Sequence, residues 1–420
     1  MGDILNVVYD NWVDGEPQPN LLNTTQPNRF RILDGFFRFY DDSGHKIYHR
    51  MNRCEIEDVY KNPNENYFYF INGIGNVHNT FKEYKTIPLP EIVEECFLSC
   101  NNFNIIFLNE HEYETEDYLL YIDSYFTKKS FDLSRIFVIN NNAEMEILKF
   151  KTGTKLNVYS SGFLLKFIAR HLSFQNSKYV KDKEGFFMCH NRSPKTHRYT
   201  LLVMLMKHGI LENVDWSLIM GWAKRQKIFT HFYNGILNNE EIEHLKPEID
   251  YFDSIDIKRS KYEEETGWFE AEEVLGSFNW EKIYETKTYE NTYVNIVTES
   301  NYHFDAVHIT EKSLKPFYFY QLPIFLSSPR HVKYLRDLHG FDVFDDLINH
   351  SYDREPNMRK RFFMVLDEIK RLNKNKDKVI EFYNNNIERF EKNKQAVLNI
   401  FRSTKDVDYF FDYLINKEIK

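Results

Sequence analysis

Between Tyr293 and Tyr352 the chain reads YVNIVTES, then HITEKSLKPFYFYQLPIFLSSPRHVKYLRDLHGFDVFDDLINHSY, and no other stretch limits the fold as much. Val294 to Val297 is short, apolar and β-branched, the signature of a buried parallel strand. Thr310 reads as an N-cap, with Glu311 in the first turn where a carboxylate complements the helix dipole. The helix carries Leu314, Phe317 and Tyr320 inward until Leu322-Pro323 stops it. Ile324 to Leu326 restarts a strand, Ser327-Ser328-Pro329 forms a loop, and His331 to Leu338 gives a second helix closed by Gly340. A strand–helix–strand–helix order of this kind belongs to an open, parallel α/β sheet.

In such sheets ligands bind outside the carboxyl ends of the strands, and a helix N-terminus there offers free amides to an anion. Glu299 closes the strand, and Thr310, Glu311, Lys312 and Lys315 open the helix. A carboxylate repels phosphate but accepts from sugar hydroxyls, whereas an ammonium attracts phosphate as a point charge. Together they fit a nucleotide-sugar. The plainer alternative is a capping Glu and solvated Lys residues on an ordinary helix.

The segment ITEKSLKPFYFYQLPIFLSS resembles the donor-binding motif of GT-B glycosyltransferases, most closely the α1,3-fucosyltransferases of glycosyltransferase family 10. It is also similar to glycosyltransferase-like proteins of large DNA viruses and phages, in which a GF-x-x-F-D-D-x-I-x-x-S-Y-D run follows. That run is Gly340 to Asp353 in this chain. The resemblance implies two Rossmann-like domains facing a cleft, with a helical tail crossing back between them. It implies that Glu311 contacts the nucleotide ribose and Lys312 the diphosphate. One departure stands out: the small Ala-Gly pair before the family's proline is Tyr320-Gln321 in this sequence.

Elsewhere strands alternate with helices. Ile4–Tyr9, Tyr67–Ile71, Asn104–Leu108, Ile136–Asn140 and Leu156–Tyr159 read as strands of a first sheet. The polar run QNSKYVKDKE, between Gln175 and Glu184, reads as a linker. The expected division is therefore residues 1–175 as an acceptor domain, 176–357 as a donor domain and 358–420 as a helical tail. Phe186–Cys189 opens the second sheet, and HRYTLLVMLMKH, from His197 to His208, forms its first helix. Arg192, Lys195 and Arg198 crowd the start of that helix, where cations oppose the dipole unless an anion joins them. The resemblance implies that Arg198 grips the diphosphate, with Arg192 and Lys195 beside it.

An inverting sugar transfer needs a group that deprotonates the acceptor hydroxyl. The strand IIFLNEHE resembles the fucosyltransferase strand ending in a Gly-Glu-Asn loop, which places Glu110 at the base. His111, Glu112 and Asp10 are alternatives, and a solvated turn is the bland reading. Four scattered cysteines, without a Cys-x-x-Cys pair, point away from zinc and towards a reducing compartment. Asp253-Ser254-Ile255-Asp256 and Asp406-Val407-Asp408 do not follow clear buried strands, so no metal is expected.

A net charge of −9 argues against a generally basic nucleic-acid binder. No h-region opens the chain, and no apolar run reaches the ~20 residues of a membrane span. These features predict a cytoplasmic enzyme, in the host cytoplasm if viral. The expected donor is a UDP- or GDP-sugar and the expected acceptor a glycan, a protein or a modified DNA base. A non-catalytic nucleotide- or carbohydrate-binding protein of the same fold is the competing class.

Overall fold

A computed structural model describes residues 5–8, 12–13, 16–17, 51–72, 89, 91–109, 116–140, 142–191, 194–219, 235–255, 257–258, 286–303, 306–403 and 413–414. The chain divides into two compact units, Met1–Leu164 with Ser403–Lys420, and Leu165–Arg402. The division falls ahead of the polar run at 175–184, and the last segment of the tail belongs with the first unit.

The first unit is a parallel sheet. Its strands are β1 (Leu5–Val8), β4 (Met51–Cys54), β5 (Tyr67–Asn72), β6 (Phe103–Asn109), β7 (Ile136–Asn140) and β8 (Asn157–Ser160). A two-residue antiparallel pair, β2 (Trp12–Val13) with β3 (Glu16–Pro17), lies apart from it. The spatial order is β4-β1-β5-β6-β7-β8, with every pair parallel. Helices α1 (Ile56–Lys61), α2 (Glu91–Ser99), α3 (Glu116–Lys128) and α4 (Met145–Thr152) connect the strands. β7 is buried at every residue, as parallel strands covered on both faces are. Phe97, Phe126 and Phe131 stack above Ile105, Phe107 and Val138, and each such side chain contributes ~1.5–3 kcal/mol by leaving water. The cysteines are buried free thiols. Tyr413, from the tail, stacks on Tyr159 and donates its hydroxyl to the Val158 carbonyl at 2.9 Å.

Helix α5 (Phe163–Ser173) contains the division between the units. The second unit's sheet runs β11 (Ile257–Lys258), β10 (Val214–Ile219), β9 (Gly185–His190), β12 (Thr292–Thr298), β13 (Leu322–Leu326), in that spatial order. β11 is an antiparallel edge on an otherwise parallel sheet. β12 and β13 are buried throughout. Among the described residues β13 pairs with β12 alone, an edge position of the kind in which a strand proline is found.

In the first unit β1 lies inside the sheet, with β4 on one side and β5 to β8 on the other; in the second β9 lies inside, with β10 and β11 on one side and β12 and β13 on the other. Connections leave in opposite directions at β1/β5 and at β9/β12, which makes each a topological switch point.

The helices of the second unit are α6 (Thr196–Lys207), α7 (Asn239–His244), α8 (Lys246–Ser254), α9 (Thr286–Glu290), α10 (Glu311–Tyr318), α11 (His331–Asp337), α12 (Met358–Lys374), α13 (Lys376–Asn385) and α14 (Ile387–Arg402). α10 ends at Tyr318, earlier than expected, and Leu322-Pro323 lies inside β13 rather than stopping the helix. The stop is made by Tyr320 in the left-handed region, φ +55°, while the Gln321 amide reaches back to the Pro316 carbonyl at 2.8 Å. A non-glycine residue there costs ~1–2 kcal/mol. Part of that cost is offset by Tyr320's hydroxyl on Glu391 at 2.9 Å and by the Lys394 ammonium 5.1 Å from its ring. The GF-x-x-FDD run docks the tail: Arg389 pairs with Asp342 and Asp346, and Asn393 brackets the Asp342 backbone.

A candidate anion site at the switch point of the second sheet

Three successive carbonyls leave the end of β12, and three basic side chains from the start of α6 take them. Arg198 Nη2 donates to Thr298 O at 3.1 Å, His197 Nε2 bonds Glu299 O at 2.8 Å, and Lys195 Nζ donates to Ser300 O at 2.9 Å. This staple ties the start of α6 to the end of β12, and Thr298 Oγ1 donates to Asn191 Oδ1 beside it. Arg198 is 3% exposed. Its cation is satisfied in part by the Thr298 carbonyl. Lys195 is exposed.

Above the staple, Glu299 is fully buried and accepts from four donors. They are Ser300 N at 3.1 Å, Thr310 N at 3.2 Å, Thr310 Oγ1 at 2.8 Å and Ser313 Oγ at 2.5 Å. Burial alone pushes its carboxyl up. The Lys312 ammonium, with lesser help from the His331 ring and the Ser313 hydrogen bond, outweighs that and holds it below the ordinary carboxylate value. Glu311 has the same balance in stronger form. Burial raises it, but Lys312 and Lys315 bring it down to about 2. Its carboxylate meets the Lys312 ammonium at 2.7 Å, and the two side chains remain 23% and 27% exposed. Lys315 is buried, its ammonium 5.3 Å from the centre of the Tyr289 ring.

The first amides of α10 are largely taken. Lys312 N donates to Thr310 Oγ1 at 3.3 Å and Ser313 N to Thr310 O at 3.1 Å. An anion at this edge therefore meets side-chain ammonium groups more than helix amides. Among the described residues Lys195, Arg198, Lys312 and Lys315 oppose the carboxylates of Glu299 and Glu311, which leaves a positive excess at the carboxyl edge of the sheet. His308, pushed down to about 4 by burial, adds no charge at neutral pH.

No family model, curated protein or solved structure matches this chain. The site thus has to be read from its own geometry. Lys195, Arg198, Glu299, Thr310, Glu311 and Lys312 gather at the ends of β9 and β12, and Lys315 lies one turn into α10. Arg198 is buried with a bond to the Thr298 carbonyl, and Glu299 is buried among four hydrogen-bond donors. Arg192, Glu110, His111, Glu112 and Asp10 lie outside the described residues.

Among the described residues no group of three or more His, Cys, Asp or Glu could hold a metal ion, and no helix is long and apolar enough to cross a membrane. Two residues meet partners that sequence reasoning did not assign them. His331 lies against Ser313 at 2.8 Å, and Asp353 accepts from the Val332 and Lys333 amides at 2.8 and 3.0 Å. No spacing rule announces either one, because each meets its partners only through the tertiary fold.

Proposed function

We propose that this chain is a nucleoside-diphosphate-sugar-dependent glycosyltransferase of GT-B type, with the second unit as its donor domain. One observation carries the reading: an excess of ammonium and guanidinium charge over carboxylate at a β9/β12 switch point, where open α/β sheets take their ligands. Lys312 and Lys195 take the phosphate oxygens, and Arg198 and Lys315 supply field from beneath. Glu311 turns from Lys312 to a ribose or sugar hydroxyl once phosphate replaces it on the ammonium. The acceptor oxygen attacks the anomeric carbon, the bond from that carbon to the phosphate oxygen breaks, and the acceptor proton passes to a base. Glu110 or His111, just after β6, is the base in this reading. The departing nucleoside diphosphate carries the electron pair, and the cationic edge stabilises it as charge develops. The α1,3-fucosyltransferase resemblance supports the same assignment.

A thermal-shift series with UDP, GDP, CMP, dTDP and their sugars tests the donor. A ligand at 100 times its Kd adds about 2.7 kcal/mol to stability, which is readily seen as a rise in Tm. Lys312→Ala is expected to weaken nucleoside diphosphate binding about tenfold or more while barely changing binding of the parent nucleoside. Equal affinity of the variant and the parent protein for the diphosphate places the donor elsewhere. Turnover with a labelled donor separates an enzyme from a binding protein.

A further inference from the structure

Ser313 has one hydroxyl proton and two close neighbours, Glu299 Oε1 at 2.5 Å and His331 Nε2 at 2.8 Å. An ionised carboxylate has no proton to offer, so the Ser313 proton lies on the Glu299 side and its oxygen is left to accept. His331 must then donate through Nε2–H, which leaves Nδ1 as a bare nitrogen. Nδ1 is indeed buried with no hydrogen-bond partner, a cheaper state for a bare nitrogen than for an N–H. The ring has little freedom to turn. It packs on Phe325 at 5.4 Å, and its residue opens α11, whose next two amides are fixed on the Asp353 carboxylate. Burial also keeps the imidazole neutral, against the opposing pull of Glu299 and Asp353.

From Ser313 the chain of bonds continues outward. Glu299 accepts from Thr310 Oγ1, and Thr310 Oγ1 accepts from both Lys312 N at 3.3 Å and Lys312 Nζ at 3.4 Å. We propose that His331 is a positioning residue for the anion site: its Nε2–H turns the Ser313 hydroxyl onto Glu299, and Glu299 then fixes the Thr310 cap and the Lys312 end of α10. The TEK segment and the distant SYD segment, both singled out in the sequence, thus become parts of one device. Asp353 sets α11, α11 sets His331, and His331 sets α10. The inference rests on reading Lys312 as the anion-binding group, but its first test does not.

The experiment compares His331→Gln, whose amide nitrogen can stand near the Nε2 position, with His331→Leu, which keeps volume and loses the donor. Hydrogen exchange of the Lys312 and Ser313 amides in the full chain is the first readout, and calorimetric affinity for inorganic pyrophosphate is the second. His331→Leu is expected to speed exchange of those amides and weaken pyrophosphate about tenfold, and His331→Gln to restore both to within about threefold, in line with one buried hydrogen bond. An unchanged α10 in His331→Leu, or a failure of Gln to rescue it, overturns the proposal and reduces His331 to packing. If His331→Leu does not fold, Ser313→Ala breaks the same link and is held to the same two outcomes. A parent protein indifferent to pyrophosphate overturns the anion reading of Lys312, while the exchange readout still decides the relay.

Discussion

Arg198 carries the lesson at the scale of single residues. Three basic residues at a helix start look like an anion site, because the helix dipole disfavours them otherwise. In the fold, carbonyls at and just past the end of β12 accept from two of those three, Arg198 and Lys195, and from His197 between them. A signal for this was present in the sequence. HRYTLLVMLMKH is apolar around its whole circumference, and a helix of that kind is buried on all sides, its early arginine included.

Glu311 gives the prediction at this scale. Its folded carboxyl sits at about 2, below the ordinary value of 4.5, so its ion pair stabilises the protein at neutral pH. That contribution is complete above the unfolded value and is lost as pH falls through the folded one, a window of about 4.5 to 2. Denaturant unfolding across this range is expected to show a shallower loss of stability in Glu311→Gln than in the parent. Parallel curves for the two proteins mean that Glu311 contributes nothing to acid sensitivity.

Elements were the most legible level. β7 has the expected bounds, β6 extends the expected Asn104–Leu108 by one residue at each end, and β9 extends the expected Phe186–Cys189 likewise. Apolar β-branched runs and cap residues are local signals, so they survive without tertiary information. The end of α10 was misjudged for the opposite reason: its stop depends on a strained Tyr320 anchored by α14, far away in sequence. Proline inside β13 likewise makes sense only once that strand is known to be an edge.

Arg361, on α12, is an element-scale device that no pattern predicts. It donates to Ser327 O at 3.0 Å, Tyr302 O at 2.8 Å and Glu355 O at 2.8 Å, and so ties the loops after β12 and β13 to one helix. A lysine cannot reproduce that fork. Arg361→Lys is expected to cost about 2–3 kcal/mol in chemical denaturation, since buried carbonyls lose their donors. A loss under about 0.5 kcal/mol, the size of an ordinary surface change, contradicts this account.

At the scale of the whole molecule, the alternation of strands and helices was enough to foresee mixed α/β architecture with parallel sheets. The exact division was not, because it depends on which late residues return to which sheet. Tyr413 stacks on Tyr159, lies 5.8 Å edge-on from Phe137 and holds the Val158 carbonyl, so residues 403–420 complete the first unit. Removing them is expected to lower the stability of the first unit by about 3–5 kcal/mol, the range for loss of a large buried aromatic side chain. The second unit, which holds four of the five tryptophans and is followed by fluorescence in a Trp12→Phe background, is expected to keep its transition. A coincident drop in both transitions contradicts that separation.

This nesting has a consequence for how the chain is made. A ribosome releases the strands of the first sheet early, but the residue that seals the face of β7 and β8 emerges only after the whole second unit has been translated. The first sheet must therefore wait for its Tyr413 contacts through the synthesis of more than half of the protein. During that interval it is the portion of the nascent chain that chaperones are best placed to hold, and synthesis that stops short of Tyr413 would leave those contacts unmade.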